Sequence, residues 1–196
     1  MIILDNVLED DCFKETKEDF LDYIDQSTPE IWYLLGSNHY YRDFCYCLMN
    51  LANTYFSLKD CTGYEFWIHK DTKPPTWHID NDERRRQEDN LMSFPLCSII
   101  YYLNVENLID GKLNVSHDES ITPGSTNDDY ERTRSKLKKD LGTNDVIVPK
   151  ENRMVILPPG KFHNVNSFIG KRLSIVINPW IAEKYKYPHI VNERFV

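Results

Sequence analysis

Residues 148–178 read Val148-Pro-Lys-Glu-Asn152-Arg-Met-Val-Ile-Leu-Pro158-Pro-Gly-Lys-Phe-His163-Asn-Val-Asn-Ser-Phe168-Ile-Gly170-Lys-Arg172-Leu-Ser174-Ile-Val-Ile-Asn178. Three apolar runs, 154–157, 162–167 and 173–178, are separated by Pro158-Pro-Gly160 and by the Ser167 to Gly170 stretch. Short β-branched runs bounded by Pro, Gly and Asn read as strands. In the last run alternation is informative, because successive strand side chains point to opposite faces. Leu173, Ile175 and Ile177 share one face, and Arg172, Ser174 and Asn178 share the other. The first face requires an apolar cover. The second puts a guanidinium where, if buried, it requires an anion that suits its planar fork.

Working outward, strands are expected at 64–70, 77–80, 95–104, 111–116 and 145–148, which makes about eight at short spacing. That count predicts a sandwich, jelly roll or barrel. Within 95–104, Ile100, Tyr102 and Asn104 fall on one face and Ile99, Tyr101 and Leu103 on the other. Two helices precede the strands. One spans 10–23, with acids near its start that suit the helix dipole. The other spans about 39–58, with Phe44, Cys45, Leu48, Leu51, Ala52 and Tyr55 near a 3.6 period. A third helix, from Thr126 to a stop at Gly142, carries only Tyr130, Leu137 and Leu141 as an apolar stripe, and reads as a surface insertion. Arg84-Arg85-Arg86, flanked by acids, reads as a solvated loop.

The 196 residues suit one domain, and 41% hydrophobic with 28% charged residues implies a folded core. No apolar run reaches the roughly 18 residues that span a bilayer. A net charge of −8 argues against nucleic acid as a partner. Five cysteines without a CxxC pair, and a start that lacks the features of a secretory signal, lead to an expectation of free thiols in a cytoplasmic, intracellular setting.

The candidate chemistry begins at His78-Ile-Asp80. Residues i and i+2 of a strand share a face, so this imidazole and carboxylate can reach one metal ion. A further His from another strand, His163, completes a facial triad that leaves coordination positions open, as in non-haem Fe(II) oxygenases. Two decoys exist. His69-Lys-Asp71 places Lys between the ligands and runs into a turn at 71–75, and His117-Asp-Glu119 sits in a loop-like stretch. A hairpin joining 162–167 to 171–178 would set His163 opposite Arg172, and opposed residues share a face. Arg172 and Ser174 would then project into the metal pocket.

The chain resembles the Fe(II)/2-oxoglutarate-dependent dioxygenases, most closely the prolyl-4-hydroxylase-like branch. The matching elements are His78-Ile-Asp80, Ile100-Tyr-Tyr-Leu-Asn104, Gly111-Lys-Leu113, Asn152-Arg-Met-Val-Ile-Leu-Pro158, His163 and Arg172-Leu-Ser174, in family order over about 100 residues from Tyr64 to Trp180. The resemblance implies a double-stranded β-helix, mainly β with helices packed on the larger sheet. It implies one oxygenase domain over 1–196, with 1–60 as helical support, 64–180 as the β core and 117–145 as an insertion. His78, Asp80 and His163 would bind Fe(II). Arg172, with Tyr102 and Ser174, would hold the distal carboxylate of 2-oxoglutarate, and O2 would be the second cosubstrate.

The implied reaction hydroxylates a C–H bond and releases succinate and CO2. An intact Asp80 fits hydroxylation rather than halogenation, which needs that position vacant for halide. The substrate expectation is a peptide or protein of prolyl type. A small molecule such as a free amino acid, or a non-catalytic binding role for the same fold, are the alternatives, and the sequence leaves the oligomeric state open. Two departures from the family pattern are Lys112 in Asp110-Gly-Lys-Leu113 and the long stretch between Val115 and Val148. That stretch and residues 82–90 adjoin the metal-bearing strands and are expected to flank the pocket mouth, the former as lid, substrate arm or decoration.

Overall fold

The computed structural model describes residues 1–23, 31–69, 76–139 and 144–181. The turn expected at 71–75, with Asp71, and the helix stop at Gly142 lie outside the described residues. The elements in chain order are β1 (Ile2–Asp5), α1 (Asp10–Tyr23), β2 (Ile31–Leu34), α2 (Arg42–Ala52), β3 (Gly63–His69), α3 (Glu83–Glu88), β4 (Ser98–Asp110), β5 (Leu113–Ser120), α4 (Asn127–Lys139), β6 (Asn144–Ile147), β7 (Arg153–Leu157), β8 (Lys161–Val165) and β9 (Phe168–Trp180). A six-stranded sheet runs β1-β7-β4-β9-β3-β2 and a three-stranded sheet runs β6-β5-β8, with antiparallel pairing throughout.

The two faces of the large sheet have different partners. On one face Tyr64, Phe66, Ile99, Tyr101, Leu103, Leu173, Ile175 and Ile177 form a core with the helices. Helix α2 contributes Cys45, Leu48, Met49 and Ala52, the i, i+3, i+4, i+7 stripe that a helix turns toward a core. Helix α1 contributes Phe20, stacked on Tyr41 at 4.2 Å between ring centroids. On the other face Ile100, Tyr102, Val155, Leu157 and Val176 meet Leu113, Val115 and Ile147 of the small sheet. The β runs therefore close into two facing sheets with helices on the outside of the larger one.

Several expectations are corrected. The helix foreseen at 39–58 forms only over Arg42–Ala52, because His39 is drawn into a stack on Tyr33 and Asn53 Oδ1 accepts the Leu58 amide. The edge strands β1 and β2 were too short to signal themselves. The strand foreseen at 77–80 reduces to one bridge, His78 to His163. Strands β8 and β9 form no hairpin. Strand β8 pairs with β5 in the small sheet, and β9 lies between β4 and β3 in the large one. Arg84-Arg85-Arg86 is the body of α3, started by Asp82, whose side chain accepts the Arg85 amide. Helix α4 is no surface decoration. Tyr130 and Leu137 are buried with Trp77, Ile79, Met92, Ile121 and Phe162 in a third cluster beside the bridge.

Gly160 shows how tightly the approach to β8 is drawn. Its φ is 68°, and a Cβ there would lie 2.0 Å from the Ile121 carbonyl oxygen, whose own amide donates to Gly160. Only glycine fits that backbone and that approach.

Candidate metal and anion site

The bridge between His78 and His163 is a reciprocal hydrogen-bonded pair. The His78 amide donates to the His163 carbonyl at 3.0 Å and the His163 amide returns the bond at 2.9 Å. Directly opposed residues share a face, and the two rings lie 4.2 Å apart between centroids. Asp80, two residues on, brings Oδ1 to 3.8 Å from His78 Nε2 and 3.9 Å from His163 Nε2. Those separations are too long for hydrogen bonds. They suit three ligands around one ion, and one ligand atom from each residue lies within 4.8 Å of the others.

Both imidazoles are aimed by the backbone. His78 Nδ1 lies 2.8 Å from the Thr76 carbonyl and His163 Nδ1 lies 3.1 Å from the Lys161 carbonyl. A carbonyl only accepts, so each ring carries a proton on Nδ1 and turns Nε2 toward Asp80. This is the arrangement that orients metal-ligating histidines. Burial and the neighbouring His163 hold the His78 pKa below its ordinary value, with Asp80 opposing, which keeps the ring neutral and able to ligate. Asp80 Oδ2 is buried without a hydrogen-bond partner among the described residues.

The same cleft continues to Arg172. Trp67, His69, Ile100, Leu113, Val165, Ser174 and Val176 line it between the triad and the guanidinium. Arg172 is 4% exposed, and its Nε and Nη1 have no hydrogen-bond partner among the described residues. The faces of Tyr102 and Phe168 hold it, with centroids 5.3 and 5.7 Å from Cζ. Aromatic faces attract a cation, but they leave its donors unused. The Tyr102 hydroxyl and Ser174 Oγ, on the same face, are likewise buried without partners among the described residues. Burial raises the Tyr102 pKa and Arg172 pulls the other way, so the phenol keeps its proton and remains a donor. Arg172 and the two hydroxyls beside it thus offer unused donors, which fits a carboxylate. The two imidazoles and the carboxylate at the other end fit a divalent ion of the iron group.

All six residues singled out in the sequence (His78, Asp80, His163, Arg172, Tyr102 and Ser174) come together, by a different route than foreseen. His163 opposes Val115 and His78 in the small sheet, and Arg172 opposes Val105 in the large one. They meet across the gap between sheets. A β-bulge between Tyr102 and Asn104 also breaks the expected parity. Asn104 stands opposite Leu173, which belongs to the helix-side core, and Val105 takes the place facing inward. His69, half of a decoy pair by its sequence, belongs to the cleft. Its register opposite Ser174, and that of Trp67 opposite Val176, place both on the cleft wall. Among the described residues, none of 82–90 or 117–145 lines it. Among the described residues no helix is long and apolar enough to cross a membrane.

No family model matches the sequence, and no curated protein matches it. Solved structures do match. A prolyl-4-hydroxylase from Pseudomonas putida aligns over 91% of this chain and 84% of its own, with a TM-score of 0.57 and 15% identity. A prolyl hydroxylase from Trichoplax adhaerens, in complex with a hypoxia inducible factor oxygen degradation domain peptide fragment, aligns over 91% and 82%, with a TM-score of 0.58 and 15% identity. HygX from Streptomyces hygroscopicus, with nickel and 2-oxoglutarate bound, aligns over 91% and 82%, with a TM-score of 0.56 and 11% identity. The likeness is one of fold, shared along nearly the whole chain.

Proposed function

We propose that the protein is an Fe(II)- and 2-oxoglutarate-dependent dioxygenase, a single double-stranded β-helix domain that hydroxylates a C–H bond of a peptide or protein substrate of prolyl type. The observation that carries this reading is the pairing, in one cleft, of a His-Asp-His ligand group with a buried arginine that lacks an anionic partner among the described residues. Either half alone has ordinary explanations. A binding module has no physical reason to bury an unpaired cation beside a convergent ligand group, since each costs stability. The fold neighbours fit: HygX holds 2-oxoglutarate, and one prolyl hydroxylase holds a peptide.

In this reading His78 Nε2, His163 Nε2 and one Asp80 oxygen hold the iron. The Thr76 and Lys161 carbonyls keep both rings in the ligating tautomer. Arg172 takes the distal carboxylate of 2-oxoglutarate, and the Ser174 and Tyr102 hydroxyls donate to the same group. When bound, Fe(II) with 2-oxoglutarate and O2 supplies the oxidation that turns a C–H bond into an alcohol, releasing succinate and CO2. The chain's own share is geometry and exclusion of water. Ile100, Leu113, Val165 and Val176 keep the space between the two polar ends apolar, which strengthens the charge pairing at Arg172.

The test is anaerobic titration with Fe(II) and 2-oxoglutarate, read at the charge-transfer band near ~500 nm that a chelated 2-oxoacid gives in such sites. The band should vanish in His78→Ala, weaken in Arg172→Ala and persist in His69→Ala. Its absence from the wild type sinks the proposal. Succinate release with prolyl peptides, compared with free amino acids, then tests the substrate class.

A further inference from the structure

Helix α4 lies in the long stretch to which the proposed chemistry gives no role, yet it is tied to the chain beside each of the three ligands. Arg134 donates from Nε to the Trp77 carbonyl at 2.8 Å and from Nη2 to Thr76 Oγ1 at 3.1 Å. Thr76 is the residue whose carbonyl fixes the Nδ1 of His78. One turn earlier, Tyr130 stacks on Phe162, the residue before His163, at 5.5 Å and 16°. Arg86, on the helix that follows Asp80, lies 5.3 Å from the Tyr130 ring and donates to Asn127 at the start of α4. Glu131 stands between the two arginines, 3.9 Å from Arg86 and 3.5 Å from Arg134.

The segment around His78 needs such support. Its only ladder among the described residues is the single bridge to His163, and one bridge fixes a Cα position better than the direction of a ring. What aims Nε2 is the Thr76 carbonyl, and the fork of Arg134 holds the main chain at 77 and the Thr76 side chain, while the Trp77 side chain is buried in the third cluster. A guanidinium presents its donors in a rigid plane, so it locks two neighbouring acceptors where an ammonium would reach one.

We propose that α4 is a brace for the metal-binding segment, and that Arg134 is a positioning residue that aims His78 through the backbone of Thr76 and Trp77. This rests on the metal-site reading above. It also replaces the lid expectation, because a helix with Tyr130 and Leu137 buried in the third cluster is packed in place.

The test uses the full chain, anaerobic, titrated with Co(II) alone and read at its visible d–d bands. Amide hydrogen exchange of the 76–80 segment is measured on the metal-free protein in parallel. Arg134→Met keeps the apolar stem and removes the donors. It should weaken Co(II) binding about tenfold, the lower end of what outer-shell partners are worth, and speed exchange at 76–80. Arg134→Lys, which keeps a single donor nitrogen without the planar fork, should recover part of both, and Tyr130→Phe, which keeps the stack, should match wild type. Wild-type Co(II) affinity in both arginine variants, with unchanged exchange, overturns the brace and leaves the metal site standing. A wild type that binds no Co(II) overturns the metal reading and the brace with it. If Arg134→Met does not fold, Arg134→Lys alone decides by the same two readouts.

Discussion

Strands β4 and β9 carry two chemistries on alternate residues. Toward the helices, Ile99, Tyr101, Leu173, Ile175 and Ile177 are packed in an apolar core, and the one hydroxyl among them is satisfied, Tyr101 donating to Asn152 Oδ1 at 2.9 Å. Toward the small sheet, Tyr102, Arg172 and Ser174 are as deeply buried, yet they hold polar atoms without partners among the described residues. Burial is the same and, Asn104 Oδ1 at the bulge apart, satisfaction is not. Leaving a polar group unpaired costs about 1–3 kcal/mol, and more when it is charged. The helix-side face supplies the stability that lets the inner face keep its unmet hydrogen bonds for a ligand.

The largest break in this comparison is expected at the inner face's far end. Asp80→Ala removes the anionic ligand and should lower divalent-metal affinity by more than about 100-fold, beyond the range for outer-shell partners, while circular dichroism stays native. Metal binding at near wild-type affinity would remove Asp80 from the ligand set. Next comes Arg172→Leu. Without the guanidinium, binding of 2-oxoglutarate to the metal-loaded protein should weaken by more than about 100-fold, since a buried charge-paired hydrogen bond is worth several kcal/mol. The ligand-free protein should at the same time become no less stable, and up to about 2 kcal/mol more so, because an apolar side chain replaces a buried cation with no anionic partner among the described residues. A fall in both binding and melting temperature would mean that Arg172 is structural.

The opposite signature is expected one face away. Ile177→Ala should cost about 2–4 kcal/mol of unfolding free energy, as large-to-small changes in a packed core do, read from the denaturant midpoint at constant m-value. Affinity for 2-oxoglutarate should stay within about threefold, because the Ile177 side chain points to the face of β9 opposite the cleft. If Ile177→Ala weakens cosubstrate binding as much as it weakens the fold, the two faces are not separable.

Alternation is also what made the faces legible in the sequence. A period of two assigns Leu173, Ile175 and Ile177 to one side and Arg172 and Ser174 to the other without any knowledge of neighbours. His78 and Asp80 are related by the same two-residue step. Neighbours are what parity leaves out. It does not say that β8 crosses to the small sheet, so a hairpin explained equally well why His163 and Arg172 share a pocket. It does not foresee the bulge that turns Asn104 outward, because a bulge adds one residue and resets the count. The thin stripe of α4 hid its role for another reason. Arg134 and Arg86 look like solvated charges in any sequence, and only the fold shows one bonded to a main-chain carbonyl and the other lying against Tyr130.

The smallest expected effect tests whether the helix side is as well satisfied as its apolar residues make it. His39 is a titratable group there, stacked on Tyr33 at 3.6 Å and hydrogen-bonded through Nε2 to the Tyr64 hydroxyl. Burial, with the charge of Arg42 adding and Asp43 opposing, lowers its pKa from 6.5 to about 4. Between those values the unfolded chain binds a proton that the folded one refuses. Stability from this group is therefore complete above pH 6.5 and is lost as pH falls toward 4. At about 1.4 kcal/mol per unit the shift would be worth about 3 kcal/mol, and solvent screening of the half-buried ring reduces it to about 1–2 kcal/mol. His39→Phe keeps the stack and cannot titrate. Its denaturant midpoint should fall less than that of wild type between pH 7 and pH 5, the difference amounting to about 1 kcal/mol. Parallel pH profiles for the two proteins would mean that His39 is protonated in place at little cost. The helix-side face would then tolerate a charge as the inner face tolerates Arg172, and the contrast between them would rest on the apolar residues alone.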